Sequence, residues 1–267
     1  MKYKAVIVYL ILPILLIFAC GKENLDKNIA TLESAVQKEP DNPQLHYQLA
    51  TLYYEKGGSE NIQKAIDLYQ RTVTLDENYA PGYAGLGVAY AVMHFNYAPN
   101  ARHWLSMAHQ ESVKAVRLDP NLSEAHRALG LSYSGQNQLD KAIDAYKEAI
   151  RLDPDSARAH ESLGFAYFAR GTYDRAIAEY KEAVRLEPDD ATFHNNLGLA
   201  YLNSNQIDKA ISEYKKAIKI DYNLSVAHTN LGVAYEQKGM SDKAQAEFQE
   251  AMRLDMLDKQ QQKQRGK

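Results

Sequence analysis

The chain has 267 residues, 45% apolar and 24% charged, enough to bury one or two ordinary globular cores. Its 31 basic and 34 acidic residues leave a formal charge of −3, which provides no electrostatic footprint for nucleic acid, and no nucleic-acid partner is expected. A single cysteine excludes an intrachain disulfide whatever the redox compartment.

The first residues read MKYKAVIVYLILPILLIFAC: two lysines, an uninterrupted apolar run from Ala5 to Ala19, then Cys20 and Gly21. This is the order of a secretory signal. As a helix the run reaches about 22 Å, short of a hydrocarbon core of roughly 30 Å, so a spanning anchor is the weaker reading. Ile17, Phe18, Ala19 and Cys20 resemble the lipobox of a bacterial lipoprotein signal. The resemblance implies removal of residues 1–19, diacylglycerol on the Cys20 thioether and acylation of the new amino terminus. Several acyl chains give stable attachment, since each buried CH₂ contributes about 0.8 kcal/mol. An uncleaved signal anchor and a free buried thiol remain the alternatives. Gly21 is not the Asp that retains enteric lipoproteins in the inner membrane, so the bacterial envelope, and its outer membrane, is the expected location.

From residue 129 onward the chain repeats every 34 residues: LGLSYSG from Leu129, LGFAYFA from Leu163, LGLAYLN from Leu197 and LGVAYEQ from Leu231. Thirteen residues after each Leu stand Ala142, Ala176, Ala210 and Ala244, and four further on Tyr146, Tyr180, Tyr214 and Phe248. Pro154 and Pro188 close two units, where proline removes an amide donor and restricts its predecessor. Ser123, Ser156 and Ser225 stand where the next helix needs an N-cap. Looser copies precede, around Leu49, Tyr53 and Tyr69 and around Leu86, Tyr90 and Ala115, and a leading segment ends on Pro40.

This spacing resembles the tetratricopeptide repeat (TPR) family. It implies an all-α, right-handed α-α superhelix of helix-turn-helix repeats, a TPR solenoid. The expected organisation is a lipid-attached N-terminus and single helix over 20–42, and six units over 43–256. Those units are 43–79, 80–122, 123–156, 157–190, 191–224 and 225–256, with a polar tail over 257–267. Gly130, Gly164, Gly198 and Gly232 are predicted where the second helix crosses too closely for a longer side chain.

His46, His126, His160, His194 and His228 also recur. Equivalent residues on stacked helices stand about 8–10 Å apart, too far to share one zinc, so packing between helices is the expected role and no metal site is assigned. No GxSxG, HExxH, GxxxxGK[ST] or CxxC occurs, and Asp189 and Asp190 fall in a turn where they favour the next helix N-terminus. No catalytic residue or cofactor is assigned, and the chain is read as a non-enzyme.

The TPR resemblance implies binding on the concave surface formed by the first helices. Where chaperone-binding members place the first Asn of a carboxylate clamp, this chain has Val88, Leu131, Phe165, Leu199 and Val233. With Phe168 they predict an apolar stripe instead. Asn196 and Asn230 precede the Leu-Gly pairs of the last two units and resemble the asparagine ladder of O-linked N-acetylglucosamine transferases, which implies holding of a peptide backbone. In the insertion HFNYAPNARHW, Trp104 shares a helical face with Leu105, Ala108 and Ala115, while Phe95 and Tyr97 are expected in a loop as partner anchors. The expected function is a protein-interaction scaffold holding envelope proteins or peptide segments at a membrane. Its architecture resembles two groups of TPR lipoproteins: the six-unit pilotins of type IV pili, and adaptors of envelope proteases and peptidoglycan hydrolases.

Overall fold

The computed structural model describes residues 22–98 and 101–265. The signal segment and Cys20 lie outside the described residues. Among the described residues the chain is all-α, with thirteen α-helices and no strand. It divides into two compact units at Asp76 and Glu77.

The first unit holds α1 (Lys22–Lys38), α2 (Pro43–Lys56) and α3 (Ser59–Leu75). Asn42 starts α2 because its Oδ1 accepts the Gln44 and Leu45 amides at 3.1 and 3.4 Å, with Pro43 in the first turn. Leu49, Ala50, Leu52 and Tyr53 of α2 and Ile62, Ala65, Ile66 and Tyr69 of α3 form its buried face, and α1 adds Ile29. Burial, then the hydrogen bond to Glu33, pushes the Tyr53 hydroxyl up to about 12.

The second unit begins with α4 (Ala80–Val92), a π-helical turn (Met93–Tyr97) and α5 (His103–Leu118). Four regular hairpins follow: α6 (Ser123–Gly135) with α7 (Leu139–Leu152), α8 (Ala157–Ala169) with α9 (Tyr173–Leu186), α10 (Ala191–Asn203) with α11 (Ile207–Ile220), and α12 (Ser225–Gln237) with α13 (Ser241–Arg265). Each first helix packs on its own second helix, on the preceding second helix and on the neighbouring first helices. The first helices therefore converge as an inner layer, which is the stacking of an all-α repeat superhelix.

Two features of each hairpin follow from the sequence period. The residue that turns the chain between helices is left-handed in every regular repeat: Asn137 (φ 58°), Gly171 (79°), Asn205 (61°) and Gly239 (76°). Glycine and asparagine tolerate that conformation where other side chains meet the backbone. Gly164 and Gly198 lie where a Cβ would come within 2.8 Å of the Tyr180 ring and 2.7 Å of the Tyr214 ring. The closely crossing helices predicted at these glycines are present, and Tyr146, Tyr180 and Tyr214 are buried against them.

The caps differ in part from expectation. Ser156 caps α8 through Ala159 N at 3.4 Å, and Asp190 caps α10 through Thr192 N at 2.7 Å and Phe193 N at 3.2 Å. Ser123 and Ser225 are instead the first residues of their helices, one position too late to cap. The Ser123 hydroxyl donates across the hairpin to the Ala149 carbonyl at 2.9 Å.

Candidate functional site

The recurrent histidines build a repeated joint. In α8, His160 Nδ1 donates to Glu179 Oε2 of α9 at 2.8 Å, and Nε2 donates to the Pro154 carbonyl of the preceding turn at 3.2 Å. His194 makes the same pair with Glu213 and Pro188 at 2.7 and 3.0 Å, and His228 with Glu247 and Tyr222 at 2.7 and 3.1 Å. All three imidazoles are buried, so the expected packing role is met and a polar one is added. His46 and His126 keep the carbonyl bond, to Pro40 and Pro120, both at 2.8 Å. The carboxylates were missed in the sequence, although Glu179, Glu213 and Glu247 recur at the repeat period nineteen residues after their histidines. Hydrogen bonding to Glu179 and Glu213 raises the pKa of His160 and His194.

On the inner layer, the expected apolar stripe is present in part. Phe165 is the most open member at 45% exposure, whereas Leu131, Leu199 and Val233 are half-buried. Phe168 packs on the core and its ring lies 5.4 Å from that of Tyr173. Val88 does not belong to the surface: at 3% exposure it is core, because α4 is enclosed by α5, the π-helical turn and α6. Leu131, Phe165, Leu199 and Val233 lie on α6, α8, α10 and α12, so the apolar column crosses four consecutive first helices.

A polar column runs one helical turn before the apolar one. On α6, Arg127 is held by Glu124 with Nε to Oε2 at 2.8 Å. On α8, Glu161 accepts from Asn196 Nδ2 of α10 at 3.0 Å, and Asn195 Oδ1 accepts from Asn230 Nδ2 of α12 at 2.9 Å. Burial raises the Glu161 pKa, opposed by Arg127 and Arg158. Asn196 and Asn230 therefore spend one amide donor each on a neighbouring helix. Arg127, Glu161 and Asn195 were not singled out in the sequence; the signal was present, since each stands four residues before Leu131, Phe165 or Leu199 and thus on the same face.

Residues 94–97 of the insertion lie in a π-helical turn and not in the expected loop. Phe95 and Tyr97 are exposed at 39% and 41% on that turn. A π turn seats one residue more per hydrogen-bonded ring than an α turn, which absorbs part of the insertion without ending the helix. Trp104, half-buried on α5, stacks on Tyr90 with ring centroids 5.5 Å apart and planes at 28°. Pro99 and Asn100 lie outside the described residues.

Among the described residues no group of three or more His, Cys, Asp or Glu gathers as metal ligands, and no helix is long and apolar enough to cross a membrane. What the first helices offer is two columns side by side, one apolar and one polar.

Stacked helical hairpins joined by a shared core define a repeat solenoid of the protein-interaction class. Models of the TPR repeat match residues 135–171, 164–205 and 201–239, and a tetratricopeptide repeat model matches residues 226–255. A crystal structure of MamA is 31% identical, with TM-score 0.54 over 60% of this chain and 93% of that one. A thermophilic TPR protein of Thermus thermophilus, TTC0263, is 20% identical, with TM-score 0.61 over 73% of this chain and 100% of that one. A chain of the APC/C hetero-tetramer Cut9–Hcn1 is 18% identical, with TM-score 0.70 over 86% of this chain but only 43% of that one. No match to a curated protein was found. The chain belongs to the tetratricopeptide repeat family.

Proposed function

We propose that this TPR protein is a scaffold that holds an amphipathic segment of a partner protein along α6, α8, α10 and α12. The observation that carries this reading is the pairing of the two columns. Phe165, flanked by Leu131, Leu199 and Val233, offers apolar surface, and Arg127 with the Glu161–Asn196 and Asn195–Asn230 rungs offers donors and acceptors one turn away. A segment with apolar residues on one side and free polar groups on the other meets both columns at once. A wholly apolar segment would strand the buried rungs, and a wholly polar one would leave Phe165 uncovered.

The lipobox supports a tether through Cys20 in the bacterial envelope, at the outer membrane, with the partner an envelope protein. With six units behind such a tether, the chain is suited to work as an assembly factor of the pilotin kind. Incorporation of labelled palmitate that is abolished by Cys20→Ala tests the tether.

The groove is tested by affinity purification from native membranes, comparing the wild type with the double variant Phe165→Asp, Asn230→Ala. Loss of one abundant envelope protein from the variant eluate, with helicity retained by circular dichroism, is the expected result. Identical eluates would refute groove binding and turn attention to Phe95 and Tyr97.

A further inference from the structure

Nine large apolar side chains are exposed among the described residues, and six of them lie at the C-terminal end: Ile220, Tyr222, Val226, Met252, Met256 and Leu257. The repeat supplies its own control for this surface. Ile150, Val184 and Ile218 occupy the place of Met252 in the three preceding units, and each packs against the core. Val184 and Ile218 do so beside Phe193 and Ala227 of the following first helix. Among the described residues no further unit packs on Met252, which stands 57% exposed, with Met256 at 59% and Leu257 at 40% on the next turn. Tyr222, 53% exposed, is fixed to the same helix by its hydroxyl bond to Glu250, which Arg253 also holds at 2.8 Å. Solenoids ordinarily end on a polar cap. Here the last described repeat instead presents an exposed stacking surface carried by two methionines, whose flexible side chains adapt to a facing helix.

We propose that this end is the interface of a homodimer in which α13 packs antiparallel on α13 of a second copy. Two observations select this occupant. The described residues do not cover the surface: α13 has 25 residues where α7, α9 and α11 have 14, and it continues as helix to Arg265, so residues 258–265 do not fold back over Met252. The charge of α13 is also complementary to its own reversal. Residues 241–256 carry four acidic and two basic side chains, and residues 257–265 carry one acidic and three basic. An antiparallel pair centred between Met256 and Leu257 lays each basic end along the acidic half of the other copy, with position 263 of one against position 250 of the other. A parallel pair would set like charges together. Anchoring both copies in one membrane would raise their effective concentration and favour the pair further.

The test uses the full chain in its native membrane with Cys20 kept, since the thioether proposed there leaves it no free thiol and Ala178→Cys controls for any that remains. Met256→Cys under mild oxidation should yield a disulfide-linked dimer, and Ala178→Cys, exposed on a second helix within the stack, should not. Adding Met252→Glu to Met256→Cys should lower dimer yield about tenfold, the effect of a 1.4 kcal/mol loss in association. Phe165→Asp should leave the yield unchanged, which separates this interface from the groove. A yield from Met256→Cys no higher than from Ala178→Cys would overturn the proposal. So would a dimer indifferent to Met252→Glu, or capture of a different protein in place of a second copy.

Discussion

His194 Nδ1 lies 2.7 Å from Glu213 Oε2 while its Nε2 lies 3.0 Å from the Pro188 carbonyl, so both ring nitrogens face acceptors. Only an imidazolium donates to both. The bond to Glu213 raises the His194 pKa above its ordinary 6.5, and Glu179 acts likewise on His160. A pKa raised by folding contributes stability that is complete below the unfolded value and is lost as pH rises through the folded value. The unfolding midpoint should therefore fall between about pH 6 and about pH 8, where imidazole titrates. A midpoint flat across that window would contradict the imidazolium assignment.

Glu213 carries the opposite sign. Burial pushes its carboxyl up, but the His194 and Lys216 hydrogen bonds outweigh burial and leave the pKa lowered. Its contribution is present at neutral pH and disappears in acid, below the ordinary carboxylate range. Glu213→Ala should cost about 1.5–3 kcal/mol at pH 6, the range for hydrogen bonds to charged groups. It should also flatten the neutral-pH slope, as denaturant titrations at pH 6 and pH 8 would reveal.

Gly198→Ala should destabilise the second unit by about 1–3 kcal/mol, the usual cost of overpacking. The added Cβ would stand 2.7 Å from the ring of Tyr214, which is fully buried and has no room to yield. Combining it with Tyr214→Leu tests the cause: the two costs should be clearly less than additive, and strict additivity would place the strain elsewhere.

Phe165→Asp should change folding stability by no more than about 0.5 kcal/mol, as for other exposed positions, while Leu163→Ala two residues earlier should cost about 2–5 kcal/mol. Leu163 is 3% exposed against 45% for Phe165. Thermal melts of the two variants check the contrast, and partner recovery should fall for Phe165→Asp without a stability defect.

Val88→Asp should fail to fold the second unit normally, since it would bury an unpaired carboxylate on the enclosed helix α4, where Val88 is only 3% exposed. Were Val88 a groove residue like Phe165, the same substitution would be tolerated, so a normal melt would restore it to the surface.

Much of the architecture was legible because the 34-residue period is a packing rule written in residue size. Gly198 and Tyr214 announce a close crossing, Pro154 and Pro188 announce helix ends, and their register carries through four hairpins. The apolar column was legible as a face: the TPR resemblance implied that Leu131, Phe165, Leu199 and Val233 stand on it. The bonds within the polar column were not, because Glu161 and Asn196 or Asn195 and Asn230 become neighbours only across stacked helices, 35 residues apart.

The sequence by itself determined the helical hairpin, its length and its close contacts, since these depend on residues within one turn or one period of each other. Tertiary structure decided what equivalent positions do. Val88 and Phe165 occupy the same place in the repeat, yet one is core and the other is open, because burial depends on which neighbouring helices enclose each one. His126 and His194 likewise occupy one place, but Ala145 stands where His194 finds Glu213, so only the latter gains a carboxylate partner on the second helix. Met252 repeats Ile218 and differs in exposure because, among the described residues, no helix packs on it as α12 packs on Ile218, and only the folded chain decides whether a neighbouring helix covers that place.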